Sequence, residues 1–364
     1  MRRVGLVLSG GLFWIGCHSA VVSTHAEPPA EPDAGATDTQ TKTTFAIDSV
    51  RFGESGNGKL VGAAWRSLGY DLDGKLTTKD STGVCTLAAG APKTDQVDGD
   101  GGIDNSFAAN VIALIVSGLS PWQGPEVIVT DVETAAIQQG RFTLQIQVQG
   151  LSEDPAQTAL GLRVATFASD ALGSVPAFDS TTDWPVLDQS VEDENTVASG
   201  AVVRFEDAYV TGGTLVAGMS SRITLPFRLI VNEIPITLAV HSAILTFDHV
   251  DAASAANGVL AGVLDVNEMI DAIRGFVEVN NGRAFCGSAF DGIAQQLAQS
   301  ADILVDRYNA PGIPCDGVSI AIGFHATRVA NPTQVAAMPT PPPSLCDDGG
   351  ALDGAPDGGD AGLD

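Results

Sequence analysis

Apolar and polar residues alternate along much of this chain, and a period of two is typical of half-buried β-strands. The clearest case is RFTLQIQVQG at 141–150, where every second residue is apolar. Similar β-rich runs are LGLRVATFA (160–168), AVVRFEDAYV (201–210), RITLPFRLIV (222–231), PITLAVHSAILTF (235–247) and VSIAIGFHATRV (318–329). Their regular spacing, with turn residues between them, predicts a mostly antiparallel sheet system. Pro226 and Pro235 should lie at strand edges or ends.

Three other segments carry a helical pattern. DNSFAANVIALIVSGL (104–119) is apolar on most faces, with Asp104 or Asn105 as its expected N-cap. DVNEMIDAIRGFVEV (265–279) places its apolar residues on one face, and DGIAQQLAQSADILVD (291–306) has a similar pattern. The expected fold class is therefore α+β, mostly antiparallel β, with a β-sandwich-like core and peripheral helices.

Composition sets the expected limits of this domain. Residues 18–43 are rich in Ala, Pro, Thr and acidic residues without a burial pattern, which predicts a disordered tether. Residues 336–364 include a Pro run and finish as Gly/Asp low complexity, which predicts a disordered tail. The absence of an internal repeat favours a single domain over residues 44–335.

The N-terminal residues 1–17 have the pattern of an export signal. Arg2 and Arg3 precede VGLVLSGGLFWIG, an apolar run too short to span a bilayer, and the run ends at Cys17. This resembles the lipobox of bacterial lipoproteins, in which the cysteine is lipidated. The alternative is ordinary signal-peptidase cleavage after Ala26. A lipidated Cys17 would anchor the protein to a membrane surface, and we expect an extracytoplasmic location at the bacterial envelope, on the outer membrane.

Four cysteines remain when Cys17 is set aside, namely Cys85, Cys286, Cys315 and Cys346. In an exported chain this number favours two disulfides, with three possible connectivities. We prefer Cys286–Cys315 as the local pair, which leaves Cys85–Cys346 to fix the tail. Metal thiolates are the alternative, and the lack of any CxxC pair argues against them.

The charge balance restricts the partners. The chain has 18 Lys and Arg against 44 Asp and Glu, for a formal net charge of −26. Such a chain repels phosphate backbones and anionic headgroups, so no nucleic acid partner is expected. Divalent cations are favoured instead.

GESGNGKL (53–60) nearly matches a phosphate-binding loop. Gly53, Gly58 and Lys59 fit GxxxxGK, but Leu60 replaces the Ser or Thr that would bind magnesium. Loops of Gly, Ser and Asn are commonly turns. We therefore interpret this segment as a turn and expect no nucleotide.

GYDLDGKLTTKD (69–80) nearly matches the twelve-residue calcium loop of EF-hands and dockerins. The candidate ligands, at positions three, five, seven, nine and twelve, are Asp71, Asp73, the Lys75 carbonyl, Thr77 and Asp80. Gly74 permits the bend at position six, and Leu76 fills the apolar eighth position. Two departures are Gly69, where Asp is expected first, and Asp80, which replaces the bidentate Glu.

A second acidic loop follows at 98–104. Asp98, Asp100 and Asp104 repeat the D-x-D-G-x-x-D spacing of thrombospondin-type calcium repeats. The alternative for both loops is a pair of solvated Asx turns. Crowded carboxylates repel unless a cation lies among them, so we expect Ca²⁺ at one or both loops. The sharper hypothesis is one shared site, in which the second loop supplies the ligand missing at Gly69.

The run from AWRSLGYDLDGKLTTKDSTGVC through VDGDGGIDNSF resembles a family of uncharacterised predicted lipoproteins of myxobacteria, up to CDGVSIAIGF near residue 324. The resemblance implies an envelope location and no known activity.

No GxSxG, HExxH or SxxK motif indicates catalysis, and His241, His249 and His325 lie within predicted strands. The favoured function is therefore an exported, lipid-anchored envelope protein with a calcium-stabilised β-rich domain. Its role would be non-catalytic, binding an envelope or extracellular polysaccharide or protein. The alternative is a secreted hydrolase acting on polysaccharide through acidic residues that spacing alone does not identify.

Overall fold

The computed structural model describes residues 27–35, 41–56, 59–60, 62–115, 129–193, 195–231, 234–280, 286–340, 343–344 and 346. The predicted export signal, Cys17 and most of the predicted tether and tail lie outside these residues. Within the described part of the chain, no helix has the length and apolarity needed to cross a membrane.

Strands dominate the described residues. They are β1 (Lys42–Arg51), β2 (Ser55–Gly56), β3 (Lys59–Leu60), β4 (Thr143–Gln149), β5 (Ala159–Ser169), β6 (Val186–Leu187), β7 (Val191–Asp193), β8 (Thr196–Ala201), β9 (Val203–Thr211), β10 (Thr214–Ala217), β11 (Leu225–Val231), β12 (Ile234–His249), β13 (Ser254–Asp265), β14 (Gly317–Val329) and β15 (Val335–Ala336). The main sheet runs in the order β15-β6-β5-β4-β1-β14-β13-β12-β10-β9, and β11 pairs with β12. The α+β, mostly antiparallel class predicted from the alternation is confirmed.

The main sheet closes on itself. An additional pairing joins β5 to β9, the last strand of the path, so that the eight strands from β5 to β9 form a ring of antiparallel pairs and β6 and β15 lie outside it. Side chains from opposite walls meet inside this ring: the ring centroids of Phe45 on β1 and Phe247 on β12 are 5.5 Å apart. The interior is the main apolar core, which also includes Ile146, Phe205 and Phe324. Closure of the sheet leaves these strands without open edges.

The six predicted strand runs correspond to β4, β5, β9, β11, β12 and β14, with boundaries shifted by a few residues. Pro226 lies on β11, which pairs on one side only, and Pro235 lies at the start of β12. Both positions agree with the expectation for proline in sheets. The six predicted runs did not include β10 or β13.

The helices are α1 (Ile112–Leu114), α2 (Val129–Gln138), α3 (Val266–Asn280) and α4 (Asp291–Gln299). A π-helical segment, Phe107–Val111, precedes α1. Of the two expected N-cap residues, Asn105 and not Asp104 caps the N-terminus of this helical segment, because Asn105 Oδ1 accepts from the Ala108 N–H (3.3 Å). Helix α3 agrees with the predicted 265–279, whereas α4 ends before the predicted residue 306 and α2 was not predicted.

Two segments cover the outer face of the ring. The acidic segment of residues 68–104 covers β12, β13 and β14, where Leu68, Tyr70 and Leu72 form an apolar cluster with sheet residues. The segment of residues 182–201 covers β5, where Val186 and Val191 pack against Phe167. The candidate calcium loops therefore lie on the outer surface of the ring and not in its interior.

Two disulfides are present, but the expected pairing was wrong. Cys85 bonds to Cys315, and Cys286 bonds to Cys346. The backbone brings the first pair together, because the Thr86 N–H donates to Ile313 O (2.7 Å) and the Cys315 N–H donates to Thr86 O (2.9 Å). Proximity along the chain, on which the prediction depended, was therefore a poor guide to proximity in space.

Candidate metal centre

The two acidic loops are joined by backbone hydrogen bonds. The Asp104 N–H donates to Tyr70 O (2.9 Å), and the Asp98 N–H donates to Thr77 O (3.1 Å). Tyr70 is itself fixed to the sheet, since its hydroxyl lies 2.7 Å from Thr246 Oγ1. The loops at 69–80 and 98–104 thus form one structural unit on the sheet.

Three carboxylates converge where the loops meet. Asp71 and Asp73 of the first loop and Asp104 of the second each offer an oxygen, and these oxygens all lie within 4.8 Å of one another. Asp71 and Asp73 are half-buried and Asp104 is buried. Asp104 of the second loop therefore lies beside the carboxylates of the first loop, as the hypothesis of one shared site requires.

Backbone amides fix the direction of these carboxylates. Asp71 Oδ1 accepts from the Gly74 N–H (2.7 Å), and Asp73 Oδ1 accepts from the Lys75 N–H (2.8 Å). Asp104 Oδ2 accepts from the Leu72 N–H (2.6 Å). Each carboxylate is therefore oriented by the other loop or by the turn that follows it.

Two further buried aspartates adjoin this group. Asp98 accepts from the Thr77 N–H, and Asp302 accepts from the Ser319 N–H (2.9 Å) and hydroxyl (2.5 Å). Asp98, Asp104 and Asp302 line one cavity of about 170 Å³, together with Trp65. In the described part of the chain, no Lys or Arg forms an ion pair with any of these aspartates.

Burial and mutual repulsion shift the pKa values of these groups upward. Burial raises the pKa of Asp104 well above its usual range, and the charges of Asp98 and Asp302 add to the effect. Burial likewise raises the pKa of Asp302 to about 7. Burial is also the main cause of the raised pKa of Asp98 and of Asp71. The folded chain thus disfavours the charged form of several carboxylates, and a nearby divalent cation would reverse that preference.

A buried hydroxyl without a partner lies in the first loop. Thr77 is 3% exposed, and its Oγ1 has no hydrogen-bond partner among the described atoms. Thr77 occupies the ninth position of the loop pattern, and its backbone is bonded to Asp98 in both directions. A buried hydroxyl without a partner is costly, and coordination of a cation would satisfy it.

Gly102 leaves room beside the carboxylates. Its φ is +94°, and a Cβ at this position would lie 3.0 Å from Asp71 Oδ2 and 3.3 Å from Lys75 O. The Asp71 carboxylate oxygen and the Lys75 carbonyl therefore face the same small space. Both are oxygen ligands of the kind that calcium takes.

Other residues of the pattern lie apart from this group. Asp100 is exposed and pairs with Arg66 (3.2 Å), and Asp80 is exposed. Leu76, expected to be packed away, is 66% exposed. Gly69 has a φ of +125°, and a Cβ there would lie 2.8 Å from the Ala321 Cβ. Close packing against the sheet therefore explains why the first position carries no aspartate.

Sequence reasoning missed Asp302 and Asn309. The Asn309 side chain donates from Nδ2 to Asp73 Oδ2 (2.7 Å), and its Oδ1 accepts from the Cys85 N–H. Both residues are far from the loops along the chain and carry no motif. The sequence signal nearest to these two residues is Cys315, whose disulfide with Cys85 brings this part of the chain to the acidic segment.

Comparison of the chain with protein-family models, with curated proteins and with solved structures found no match. The chemistry of the site is therefore argued from its own residues. Carboxylate, carbonyl and hydroxyl oxygens, without any thiolate or imidazole in the group, suit a hard divalent cation.

Proposed function

We propose that this protein is an exported, lipid-anchored protein of the bacterial envelope whose β-rich domain is stabilised by calcium. The observation that carries the calcium proposal is the convergence of Asp71, Asp73 and Asp104, and the unpartnered hydroxyl of Thr77 on the same loop as Asp71 and Asp73 supports it. The proposed export agrees with the two disulfides, because disulfides persist in oxidising compartments. The proposed anchor depends on Cys17 and on the apolar run before it.

Calcium suits the site better than magnesium. Calcium accepts six to eight oxygens in irregular geometry, whereas magnesium demands a near-ideal octahedron and retains water. The candidate ligands are the three carboxylates, the Lys75 carbonyl and the Thr77 hydroxyl, with Asp98 close to Thr77. This mixed set from two loops favours the larger and more adaptable ion.

A binding or structural role is favoured over hydrolysis of polysaccharide. Hydrolysis by paired carboxylates needs two carboxyl groups facing one substrate cleft. A cleft of about 490 Å³ beside β4 and β5 has one carboxylate among its described lining residues, Glu206, and an ion pair with Arg163 (2.9 Å) engages it. The hydrolase alternative therefore gains no support from this cleft.

Thermal unfolding with calcium and with chelator tests the proposal. Calcium at a hundredfold excess over its Kd should raise Tm by about 5–10 °C, given a linkage energy of about 2.7 kcal/mol. Asp104→Asn should abolish this rise. It should also raise Tm in chelator, because it removes one member of a repelling group. A carboxylate with only a structural role would instead lower Tm in both conditions.

The matched control is Asp100→Asn, because Asp100 belongs to the same loop but is exposed and paired with Arg66. It should keep the full calcium response. Terbium luminescence provides a direct probe of binding, since Trp65 lines the cavity shared by Asp98, Asp104 and Asp302 and can sensitise a bound ion. Equal calcium responses in wild type, Asp104→Asn and Asp100→Asn would refute the site.

A further inference from the structure

The cleft beside β4 and β5, on the outer face of the ring, differs in charge from the chain as a whole. It has a volume of about 490 Å³ and lies over β1, β4, β5 and β9, between strand β8 and residues 331–333. Its lining shares no residue with the metal centre. This cleft therefore requires its own interpretation.

Positive charge is concentrated in this cleft. Lys42, Arg163 and Arg204 line it, Glu206 is the one carboxylate among its described lining residues, and Glu192 lies beside the lining, so three cations face two carboxylates. The chain as a whole carries a net charge of −26 with only 18 Lys and Arg. A cationic cleft in such a chain favours an anionic ligand, because most of the remaining surface repels one.

Ion pairs orient the two arginines. Arg163 Nε lies 2.9 Å from Glu206 Oε2, and Arg204 Nη2 lies 2.7 Å from Glu192 Oε1. Lys42 is exposed and, within the described residues, forms no ion pair. The arginines thus have defined positions, and Lys42 offers an ammonium group that an incoming anion can pair with.

The strand register places these side chains on one face. Lys42 is opposite Gln149, and Gln149 is opposite Arg163. Thr44, Gln147, Ala165 and Arg204 form the neighbouring row. Directly opposed residues of antiparallel strands share a face, so cations and amides form a two-row array.

The floor of the array is polar and ordered. Gln147 donates from Nε2 to Thr44 Oγ1 (3.2 Å), and Thr44 donates to Asn331 Oδ1 (2.7 Å). Amide side chains both donate and accept hydrogen bonds, which matches the hydroxyl groups of a sugar. Guanidinium groups match carboxylates in bidentate geometry.

We propose that this cleft binds an acidic oligosaccharide whose sugars carry carboxylate groups. The amides would bind the hydroxyl groups, and Lys42, Arg163 and Arg204 would bind the carboxylates. An extended acidic peptide is the competing occupant, because peptides commonly add to an open strand edge. Strands β1, β4, β5 and β9 of the floor all pair on both sides, whereas β8 in the wall pairs only with β7.

Isothermal titration with tetragalacturonate tests the proposal, with chelator present so that neither the sugar nor the metal centre binds calcium. Maltotetraose, which is neutral, and tetraglutamate, which is an acidic peptide, are the comparison ligands. We expect binding of tetragalacturonate and much weaker binding of the other two. No binding of tetragalacturonate, or equal binding of tetraglutamate, would overturn the proposal.

Substitutions locate the site. Lys42→Gln and Arg163→Gln should each weaken tetragalacturonate binding by about two- to fivefold, as expected for exposed charge pairs. Lys93→Gln is the matched control, because Lys93 is exposed and does not line the cleft, and it should change binding little. Equal losses in all three variants would show that net charge, not this cleft, attracts the ligand. The calcium response of Lys42→Gln should equal that of wild type, which keeps this test separate from the metal centre.

Discussion

At the scale of single residues, the hydroxyl of Thr77 gives the sharpest test of the metal centre. Thr77→Val keeps the shape of the side chain and removes Oγ1, which has no partner in the described structure. If Oγ1 binds calcium, affinity should fall severalfold. Stability in chelator should rise by up to about 1 kcal/mol, because a buried unsatisfied hydroxyl is removed.

Calcium titration and denaturant unfolding in chelator measure the two effects of Thr77→Val. Thr78→Val is the control, since Thr78 is exposed on the same loop. Unchanged calcium affinity in Thr77→Val would show that the hydroxyl is not a ligand. A loss of stability in chelator would show that Oγ1 has another partner.

Glu133 gives a prediction on pH dependence. It is 1% exposed on α2, its Oε2 accepts from the Ile230 N–H (3.0 Å), and its Oε1 has no partner among the described atoms. Burial raises the pKa of Glu133 to about 8 from an ordinary value of 4.5. The folded state therefore binds a proton that the unfolded state releases, and this group makes stability fall as pH rises from about 4.5 to about 8.

Glu133→Gln should remove this dependence. Each pKa unit corresponds to about 1.4 kcal/mol, so the variant should gain on the order of 3–5 kcal/mol over wild type between pH 4.5 and pH 8.5. Urea unfolding across this range, with chelator present, measures the difference. Asp131→Asn on the exposed side of α2 is the control. Parallel pH profiles for wild type and Glu133→Gln would contradict the prediction.

At the scale of elements, the Cys85–Cys315 disulfide ties the acidic segment to the chain around Asp302 and Asn309. The Cys85 N–H also donates to Asn309, which in turn donates to Asp73. Removal of this disulfide with Cys85→Ala and Cys315→Ala should therefore weaken calcium binding severalfold, as well as costing about 2–5 kcal/mol of stability.

The second disulfide supplies the matched control. Neither cysteine of Cys286–Cys346 belongs to the acidic segment, and replacing both of them with alanine should reduce stability without changing calcium affinity. Calcium titration and thermal unfolding separate the two quantities. Equal losses of calcium affinity in the two double variants would show that the disulfides act on global stability alone.

The elements that sequence could predict are those with a distinct period. Strand β4 alternates strictly, because one face lies in the core and the other faces the cleft. Strand β13, with the sequence SAANGVLAGVLD, is buried along most of its length and carries small residues, so its pattern has no period of two. Closure of the ring depends on the pairing of β5 with β9, which is a long-range property that no local pattern encodes.

The residues of the candidate site likewise divide into those that a local pattern predicts and those that only the folded chain brings together. Asp71, Asp73 and Asp104 could be named as candidates from the spacing within each loop, but hydrogen bonds between the two loops place the oxygen of Asp104 beside the other two. Asp302 could not, because the fold of the whole chain places it beside Asp104. The prediction of the disulfide pairing was wrong for the same reason, since Cys85 and Cys315 are 230 residues apart.

At the scale of the whole molecule, the closed ring and the acidic segment should differ in their dependence on calcium. The ring is held by continuous backbone pairing and an apolar interior, and the apolar interior includes no residue of the candidate metal centre. The segment of residues 68–104 is held by a small apolar cluster and the Cys85–Cys315 disulfide, and its carboxylates repel one another when charged. Regions of low local stability open independently of the rest of a fold. Loss of calcium should therefore loosen the segment first.

Hydrogen exchange followed by mass spectrometry, with calcium and with chelator at neutral pH, measures this difference directly. Peptides from residues 70–105 and from residues 302–319 should exchange faster in chelator, because Asp302 and Asn309 lie against the acidic loops. Peptides from β4, β5 and β9 should exchange at the same rate in both conditions. The Asp104→Asn variant should show the same exchange with and without calcium. Uniform acceleration across the chain would instead mean that the ion stabilises the fold as one cooperative unit, because global opening would then carry the exchange of every strand.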